Sequence, residues 1–464
     1  MMSPLIPATP AESAALEIVW RLRHAGHRAY WAGGCVRDRL LGLPSKDIDV
    51  ATDATPSRIL ELFEKVLLVG ARFGVCVVVQ GDVQTEVATF RTEGDYRDHR
   101  HPEHLDFAGP EEDARRRDFT INALFFDPIT EQVYDYVGGR EDLVARRVRC
   151  VGDAEQRLAE DALRILRAVR FAARLDFQIE AETWEALRRR ATDLRAISPE
   201  RIRDELVLML RGPRPAMALE QLRLCGALEI FLPEVAALHG VPQPSEYHPE
   251  GDVWEHTRQC LEQLDAPSTI LAMATLLHDV GKPVTFQRAP DRIRFNNHAE
   301  VGAQMAEAIC RRLRFSTAEC EAITHLVRRH MVFMDIQRMR PAKLTRFLAS
   351  STIDDDLALH RTDCLASHGG LENYHWVAQR LAEARAAHPD ILPPPLLTGD
   401  DLIALGYAPG PLFSEILKAL EEQQLDGRIT TPQAAREWVR ESYPLPLSRP
   451  FPQAPQIPEP PFGG

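Results

Sequence analysis

Two aspartates separated by one residue, Asp47 and Asp49, and a glycine pair ahead of them, Gly33 and Gly34, offer the first chemistry in this chain. Asp47-Ile48-Asp49 has the alternation of a strand, which sends both carboxylates to one face and Ile48 to the other. Paired carboxylates on one face suit Mg²⁺, which activates a hydroxyl and stabilises a leaving pyrophosphate. Gly33-Gly34 precedes a helical run that begins near Val36. Backbone N–H groups at such a turn can approach a phosphate closely, and Arg37 can add a charge-assisted contact. Each piece alone is weak, since glycine pairs are often plain turns and alternating acids are often only solvated. Their order and short spacing together point to a triphosphate.

A second block, Arg115–Leu124, sets basic and polar side chains ahead of an apolar run. Read functionally, Arg117 reaches a triphosphate and Asn122 makes a structural or nucleotide contact. Read plainly, the block is a capped helix with arginine at its mouth. Asp135-Tyr136-Val137-Gly138-Gly139 looks like a strand end and a tight turn. In Glu160–Ala172 the spacing predicts one helix on which Asp161, Arg164 and Arg167 recur at three-residue intervals and share a face. An acceptor beside a bidentate donor can read the hydrogen-bonding edge of a base. The plain alternative is a surface ion pair worth ~0.2–0.5 kcal/mol.

A separate constellation comprises His256, the adjacent His278-Asp279, and Asp363. Neighbouring His and Asp at a helix terminus can both reach one ion. A mixed nitrogen and oxygen set with open positions suits Mn²⁺, Ni²⁺, Mg²⁺ or iron better than a closed zinc site. His298, His325 and His330 extend the cluster to a second metal, or else are ordinary helix-end histidines.

The elements that must position these residues follow from periodicity. The first ~140 residues read as mixed α/β, with a helix over Ala11–His24, strands at Val66–Val69, Val75–Gln80 and Thr85–Phe90, and a hairpin turn at Gly81-Asp82. From Ala154 the period is helical, broken at Gly212-Pro213, Gly240–Pro249 and Pro389–Pro395. No apolar run approaches the ~20 residues of a membrane span. The N-terminus lacks the pattern of a signal peptide. Eight scattered cysteines suit a reducing, cytoplasmic setting. A net charge of −13 argues against a protein that coats nucleic acid, but arginine is concentrated between Arg140 and Arg214.

The four blocks, with Ser198–Leu206 as a fifth, resemble the ordered motifs of bacterial class II CCA-adding enzymes and their poly(A) polymerase relatives, over roughly Ala32 to Leu224. The resemblance implies an α+β chain, with a polymerase-β-like nucleotidyltransferase head at 1–145 and an all-α neck and body at 146–240. It implies Mg²⁺ on the catalytic Asp47 and Asp49. Gly33, Gly34, Arg37, Arg117, Asn122, Asp161, Arg164 and Arg167 would surround an incoming CTP or ATP. Asp161 with Arg164 would select C or A, so that no nucleic-acid template is needed.

From Glu246 to His368 the chain resembles the HD phosphohydrolase superfamily. This implies an all-α domain over 241–385, in which His256, His278, Asp279 and Asp363 hold a divalent transition metal (Ni²⁺, Mn²⁺ or similar) or Mg²⁺. Leu224–Leu228, Pro233-Glu234 and Gly240–Pro242 resemble the junction in bifunctional CCA enzymes, whose downstream domain is a phosphodiesterase and phosphatase. A helical element at 386–441, with Gly399–Leu420 resembling the family's own, and a disordered proline-rich tail at 442–464 complete the expected organisation.

The expected function is addition of C, C and A to the 3′ end of tRNA, with a second, metal-dependent phosphohydrolase activity. Arg91–Phe107 resembles the flexible loop by which these enzymes switch from C to A, which disfavours a CC-adding enzyme. Val69–Gly74 leaves an A-adding enzyme or a poly(A) polymerase open. A different class also stays open, an HD phosphohydrolase whose head only binds nucleotide.

Overall fold

The computed structural model describes residues 7–45, 47–68, 74–93, 105–244, 246, 248–387 and 391–445. Lys46, most of the Val69–Gly74 and Arg91–Phe107 segments, part of the Pro389–Pro395 break and the tail from residue 446 lie outside the described residues.

Helix α1 (Pro10–His24) starts where Thr9 accepts a hydrogen bond from the Glu12 amide and Pro10 fits the first turn. Its Ala15, Ile18, Val19 and Leu22 stripe is buried and packs on the head sheet. That sheet is built from β1 (Ala29–Ala32), β2 (Asp49–Thr52), β3 (Val66–Leu67), β4 (Val75–Gln80) and β5 (Val83–Thr89), and from two later strands. A separate pair, β6 (Arg91–Glu93) and β7 (Leu105–Phe107), comes between; then β8 (Leu124–Asp127) and β9 (Gln132–Asp135) complete the order β3-β4-β5-β2-β1-β8-β9. Every pairing in the sheet is antiparallel except β2 with β5. The hairpin turn at Gly81-Asp82 lies where the sequence suggests, with Gly81 at φ +60°. Alternation gives the sheet two apolar faces. Trp31, Val50, Val87 and Phe126 enter the main core, while Ala32, Ala51, Phe90 and Phe125 form a smaller one.

Four more helices belong to the head: α2 (Gly34–Leu40), α3 (Pro56–Leu62), α4 (Pro110–Arg115) and α5 (Gly139–Val144). The Asp135–Gly139 block forms the turn that seats α5. The Asp135 carboxylate accepts from the amides of Val137, Gly138, Gly139 and Arg140. A Cβ at Gly139 would lie 2.2 Å from the Thr120 carbonyl oxygen, so only glycine allows α5 to meet that turn.

The body follows with α6 (Ala154–Glu160), α7 (Leu163–Leu175), α8 (Ala181–Arg190), α9 (Pro199–Leu210), α10 (Pro215–Leu224), α11 (Leu228–Phe231) and α12 (Pro233–Ala236). Here the structure differs from the single helix expected over Glu160–Ala172. The chain breaks at Asp161 (φ −147°, ψ 105°), whose Oδ1 accepts from the Leu163 amide. A short acidic side chain that bonds the following backbone competes with helix continuation. Asp161 therefore sits at a corner and does not share a helix face with Arg164 and Arg167.

Beyond the body lie α13 (Val253–Glu262), α14 (Thr269–Leu277), α15 (Lys282–Thr285), α16 (His298–Arg312), α17 (Thr317–Arg329), α18 (Pro341–Leu348) and α19 (Ile353–Ala366). Contacts divide the chain into two units: 1–331 with 358–370, and 332–357 with 371–464. One apolar core runs through the first unit, from Ala15 in the head to Leu359 in α19. The boundaries expected at 145/146 and 240/241 thus fall inside one unit, and the segment expected to run to 385 is shared between two. The second unit has its own small cores, one around Phe333, Phe347 and Val377 and one around Leu402, Ile416 and Val439. Among the described residues no helix is long and apolar enough to cross a membrane.

Candidate active site and candidate metal centre

The turn from β1 into α2 is made by Gly33 at φ +77°. A Cβ there would lie 2.9 Å from Arg117 Nη1, so the missing side chain lets the guanidinium lie against the turn. Arg117 is held in place by Asp113, 3.0 Å from Nη2, and donates to the Asn122 carbonyl at 3.1 Å. Along the approach to β2, Asp47 is exposed, Ile48 buried and Asp49 exposed, so the two acids share a face. Asp49 lines a cleft of about 590 Å³ together with Glu86 from β5, a third carboxylate that sequence reasoning missed. Protein packed around the cleft wall, with Glu86 and Asp47 adding like charge against the pull of Arg117, pushes Asp49 up to about 6. Clustered acids that resist ionising together fit a bound divalent cation.

Among the described residues nine arginines and four carboxylates line this cleft. The local charge is thus opposite to the net charge of the chain.

Not every arginine expected at the triphosphate is open to it. Arg37 is 2% exposed, ion-paired with Asp38 at 2.7 Å, and donates Nη1 to Asn122 Oδ1. Asn122 Nδ2 in turn donates to Asp118 Oδ1 at 3.1 Å, and Asp118 Oδ2 accepts from Arg167 Nη2 at 2.6 Å. Asp38 Oδ2 also accepts from Arg174 at 2.8 Å. Arg167 and Arg174 both stand on α7, so the chain of bonds closes into a ring joining α2, the turn at Thr120–Asn122 and α7. Arg37, Arg167 and Arg170 lie 5.0, 5.4 and 4.4 Å from the centre of the Phe171 ring. Against the burial that would raise it, Arg167 and Asn122 bring Asp118 down to about 2. Asp118 and Phe171 fell inside the blocks quoted from the sequence, but nothing in their spacing marked them.

Asp161 and Arg164 line the same cleft, and the Arg164 amide donates to the Asp161 carbonyl at 3.0 Å. Asp161 Oδ2 takes Arg201 at 2.6 Å, and Arg164 donates to Glu160 and to the Arg157 carbonyl. Glu205, one turn from Arg201 on α9, holds Arg170 at 2.6 Å. The fifth motif thus braces the fourth.

In the second constellation the structure brings together His256 from α13, His278 and Asp279 after α14, His298 at the start of α16, His330 at the end of α17, and Asp363 from α19. His278, His298 and His330 each place Nδ1 on a backbone carbonyl, of Thr275, Phe295 and Val327, at 2.7–2.9 Å. His256 Nδ1 meets Glu250 at 2.7 Å. A carbonyl or carboxylate only accepts, so each Nδ1 carries a hydrogen, and in the neutral ring Nε2 is left with a lone pair that a metal can take. Those lone pairs converge: Nε2 atoms stand 3.3 Å apart for His256 and His278 and 3.2 Å apart for His298 and His330. Nitrogens that close share either a proton or a cation, and a metal ion bonded to both would sit between them.

Asp279 spans the two pairs, with Oδ2 3.3 Å from His278 and Oδ1 3.6 Å from His298. Asp363 Oδ1 lies 3.2 Å from His256. Buried Asp279 Oδ2 accepts no hydrogen bond of good geometry, although Lys282 Nζ is 2.7 Å away. Burial pushes His330 down to about 4, which keeps it a neutral ligand. These residues fit two adjacent metal positions. His325 is not brought in; it contacts Arg329 and lines a different cavity with Phe315 and Thr324. Glu250 and Cys260 join the cluster without having been singled out from sequence.

Three family models match the chain: the poly A polymerase head domain at 29–149, the probable RNA and SrmB-binding site of polymerase A at 176–238, and the HD domain at 248–367. The A-adding tRNA nucleotidyltransferase of Deinococcus radiodurans is 37% identical over 438 residues, covering 88% of this chain and 94% of that one. The CCA-adding enzyme of Geobacillus thermodenitrificans is 44% identical over 228 residues, 49% of this chain and 56% of that enzyme. Among solved structures, the Bacillus stearothermophilus CCA-adding enzyme in complex with CTP matches with a TM-score of 0.72 at 27% identity, covering 94% of this chain and 98% of that one.

Proposed function

This chain belongs to the family of tRNA nucleotidyltransferases and poly(A) polymerases, and on that premise we propose that it adds C, C and A to the 3′ end of tRNA from CTP and ATP. The observation that carries the reading is the cleft itself, where Asp47, Asp49 and Glu86 lie near one wall and arginines from the head, α7 and α9 converge. Asp47 and Asp49 would hold Mg²⁺, which would supply activation of the attacking 3′-hydroxyl and charge neutralisation on the leaving pyrophosphate. Arg117, fixed by Asp113 against Gly33, meets the triphosphate. Arg37 and Asn122 hold the floor of the site.

Cytosine and adenine present an amino donor beside a ring acceptor, whereas guanine and uracil present the reverse. Asp161 as acceptor and Arg164 as donor suit the first pattern. To read a base, Asp161 must exchange Arg201, or Arg164 must exchange Glu160, for the nucleotide. Addition of A alone is the second reading, favoured because the Deinococcus relative matches along nearly the whole chain. Incubating one tRNA that lacks CCA and another ending in CC with labelled CTP and ATP decides the matter. Incorporation of C and then A supports the first reading, and incorporation of A only into the CC-ended tRNA supports the second. No incorporation into either sinks both.

For the HD domain we propose a metal-dependent phosphohydrolase. His256, His278, Asp279 and Asp363 would hold one metal ion and Asp279, His298 and His330 the other, and such ions would supply activation of a water and charge stabilisation at phosphorus. Lys282, 6% exposed and beside Asp279, adds positive charge where a phosphoryl group would sit. A cytoplasmic, reducing setting is in keeping with eight buried cysteines that are all unpaired. Hydrolysis of a 2′,3′-cyclic nucleotide by metal-reloaded protein, absent after chelation, is the expected result.

A further inference from the structure

One position of the metal cluster contains a sulfur. Cys260 lies one turn after His256 on α13, so both side chains leave the same face of the helix. Its Sγ is 3.5 Å from His256 Nε2, the atom that the Glu250 bond leaves free for a metal. Sγ, the ligand nitrogens of His256 and His278 and a carboxylate oxygen of Asp363 all fall within 4.8 Å of one another. An ion bonded at about 2.0–2.1 Å to nitrogen and about 2.3 Å to sulfur holds its tetrahedral donors roughly 3.3–3.7 Å apart. The separations from His256 Nε2 are 3.3 Å to His278, 3.2 Å to Asp363 and 3.5 Å to Cys260. A buried cysteine on a core helix is commonly a small apolar filler. Cys260 differs in facing a converging ligand set, and among the described residues no other cysteine belongs to such a group. Cys364, although next to Asp363, packs on His360 at 3.6 Å instead.

We propose that Cys260 is a further ligand of the first metal position, where its thiolate joins His256, His278 and Asp363 beside Asp279, which spans both positions. The proposal rests on the reading of this domain as metal-binding. On binding, the sulfur–metal bond forms and the thiol proton passes to solvent. A sulfur donor selects thiophilic ions such as Zn²⁺, Co²⁺ or Ni²⁺ over Mg²⁺ and Mn²⁺. Cys260 is then the residue that sets metal preference in this domain.

The test uses the full chain, stripped by chelation and reloaded with Co²⁺ alone, with Asp47→Ala and Asp49→Ala throughout so that the head cation site is silent and the otherwise wild-type chain reports only on the histidine cluster. Cobalt content is measured by elemental analysis, and the near-ultraviolet spectrum is recorded for a thiolate-to-cobalt charge-transfer band. The band is expected in the wild type and in Cys364→Ser, and is expected to vanish in Cys260→Ser. That variant still takes up cobalt, with affinity weakened by ~10–100-fold. Cobalt bound without the band in the wild type, or a band that survives in Cys260→Ser, overturns the proposal. A folded wild type that binds no cobalt overturns the metal-binding reading beneath it. Should Cys260→Ser fail to fold, Cys260→Ala replaces it, and the wild-type spectrum alone still refutes the proposal if the band is missing.

Discussion

At Asp118 one carboxylate bonds Asn122 on the head side and Arg167 on α7. With its folded pKa near 2, below the unfolded value of about 3.9, its stabilisation is complete above about pH 4 and fades as pH falls toward 2. Asp118→Asn keeps the shape and removes the charge. Urea denaturation at neutral pH should show a loss of about 2 kcal/mol, and the gap from wild type should narrow below pH 4. A gap that stays constant down to pH 3 would assign the effect to something other than this ion pair. Asp49→Ala is the companion case: it removes an expected cation ligand from an open cleft wall, so addition should drop at least ~10²–10³-fold with the melting temperature little changed. Near-normal incorporation would remove Asp49 from the metal site. Asp47 and Asp49 were legible in the sequence because alternation with Ile48 marks them, whereas Glu86, on a strand far along the chain, carried no such mark. The state of Arg37 was not legible, because a sequence lists charged side chains without saying which ones neighbours such as Asp38 and Asn122 have already engaged.

Among the elements, the close crossing of Gly281 and Gly302 sets where α16 begins. A Cβ on Gly281 would lie 2.3 Å from the His298 carbonyl oxygen and 2.7 Å from the Gly302 amide nitrogen. Gly281→Ala must therefore push α16 away, and His298 with it. Overpacking of this kind costs about 1–3 kcal/mol. The expected result is a lower melting temperature and weaker metal uptake by the HD domain, read by calorimetry and metal titration. Unchanged values for both would mean that the helices yield more easily than the contact suggests. Helix positions were mostly readable, since stripes such as Ala15–Leu22 and caps such as Thr9 are local signals. The corner at Asp161 was not, because the three-residue recurrence with Arg164 and Arg167 mimics a continuous helix and only the bond to the Leu163 amide breaks it. His325 was grouped with His330 for a similar reason: proximity in sequence does not say which face a side chain leaves.

On the scale of the whole molecule, the arginine-lined cleft and the histidine cluster share one apolar core but no side chain. The double change His278→Ala and Asp279→Ala should abolish metal-dependent hydrolysis while tRNA nucleotide addition stays within a few-fold of wild type. A folded double variant that has also lost addition would show that the two centres depend on each other. The ring through Asp38, Arg37, Asn122, Asp118, Arg167 and Arg174 bears on how such a protein can be recombined. A crossover anywhere between residues 123 and 166 separates Asp118 from Arg167 and Asp38 from Arg174 in a single cut. Grafting a relative's head at residue 145 therefore brings together halves that never co-adapted, unless the donor carries matching partners. The stretch from Asp38 through Arg174 must therefore come from one parent, across the seam that head and body would otherwise suggest.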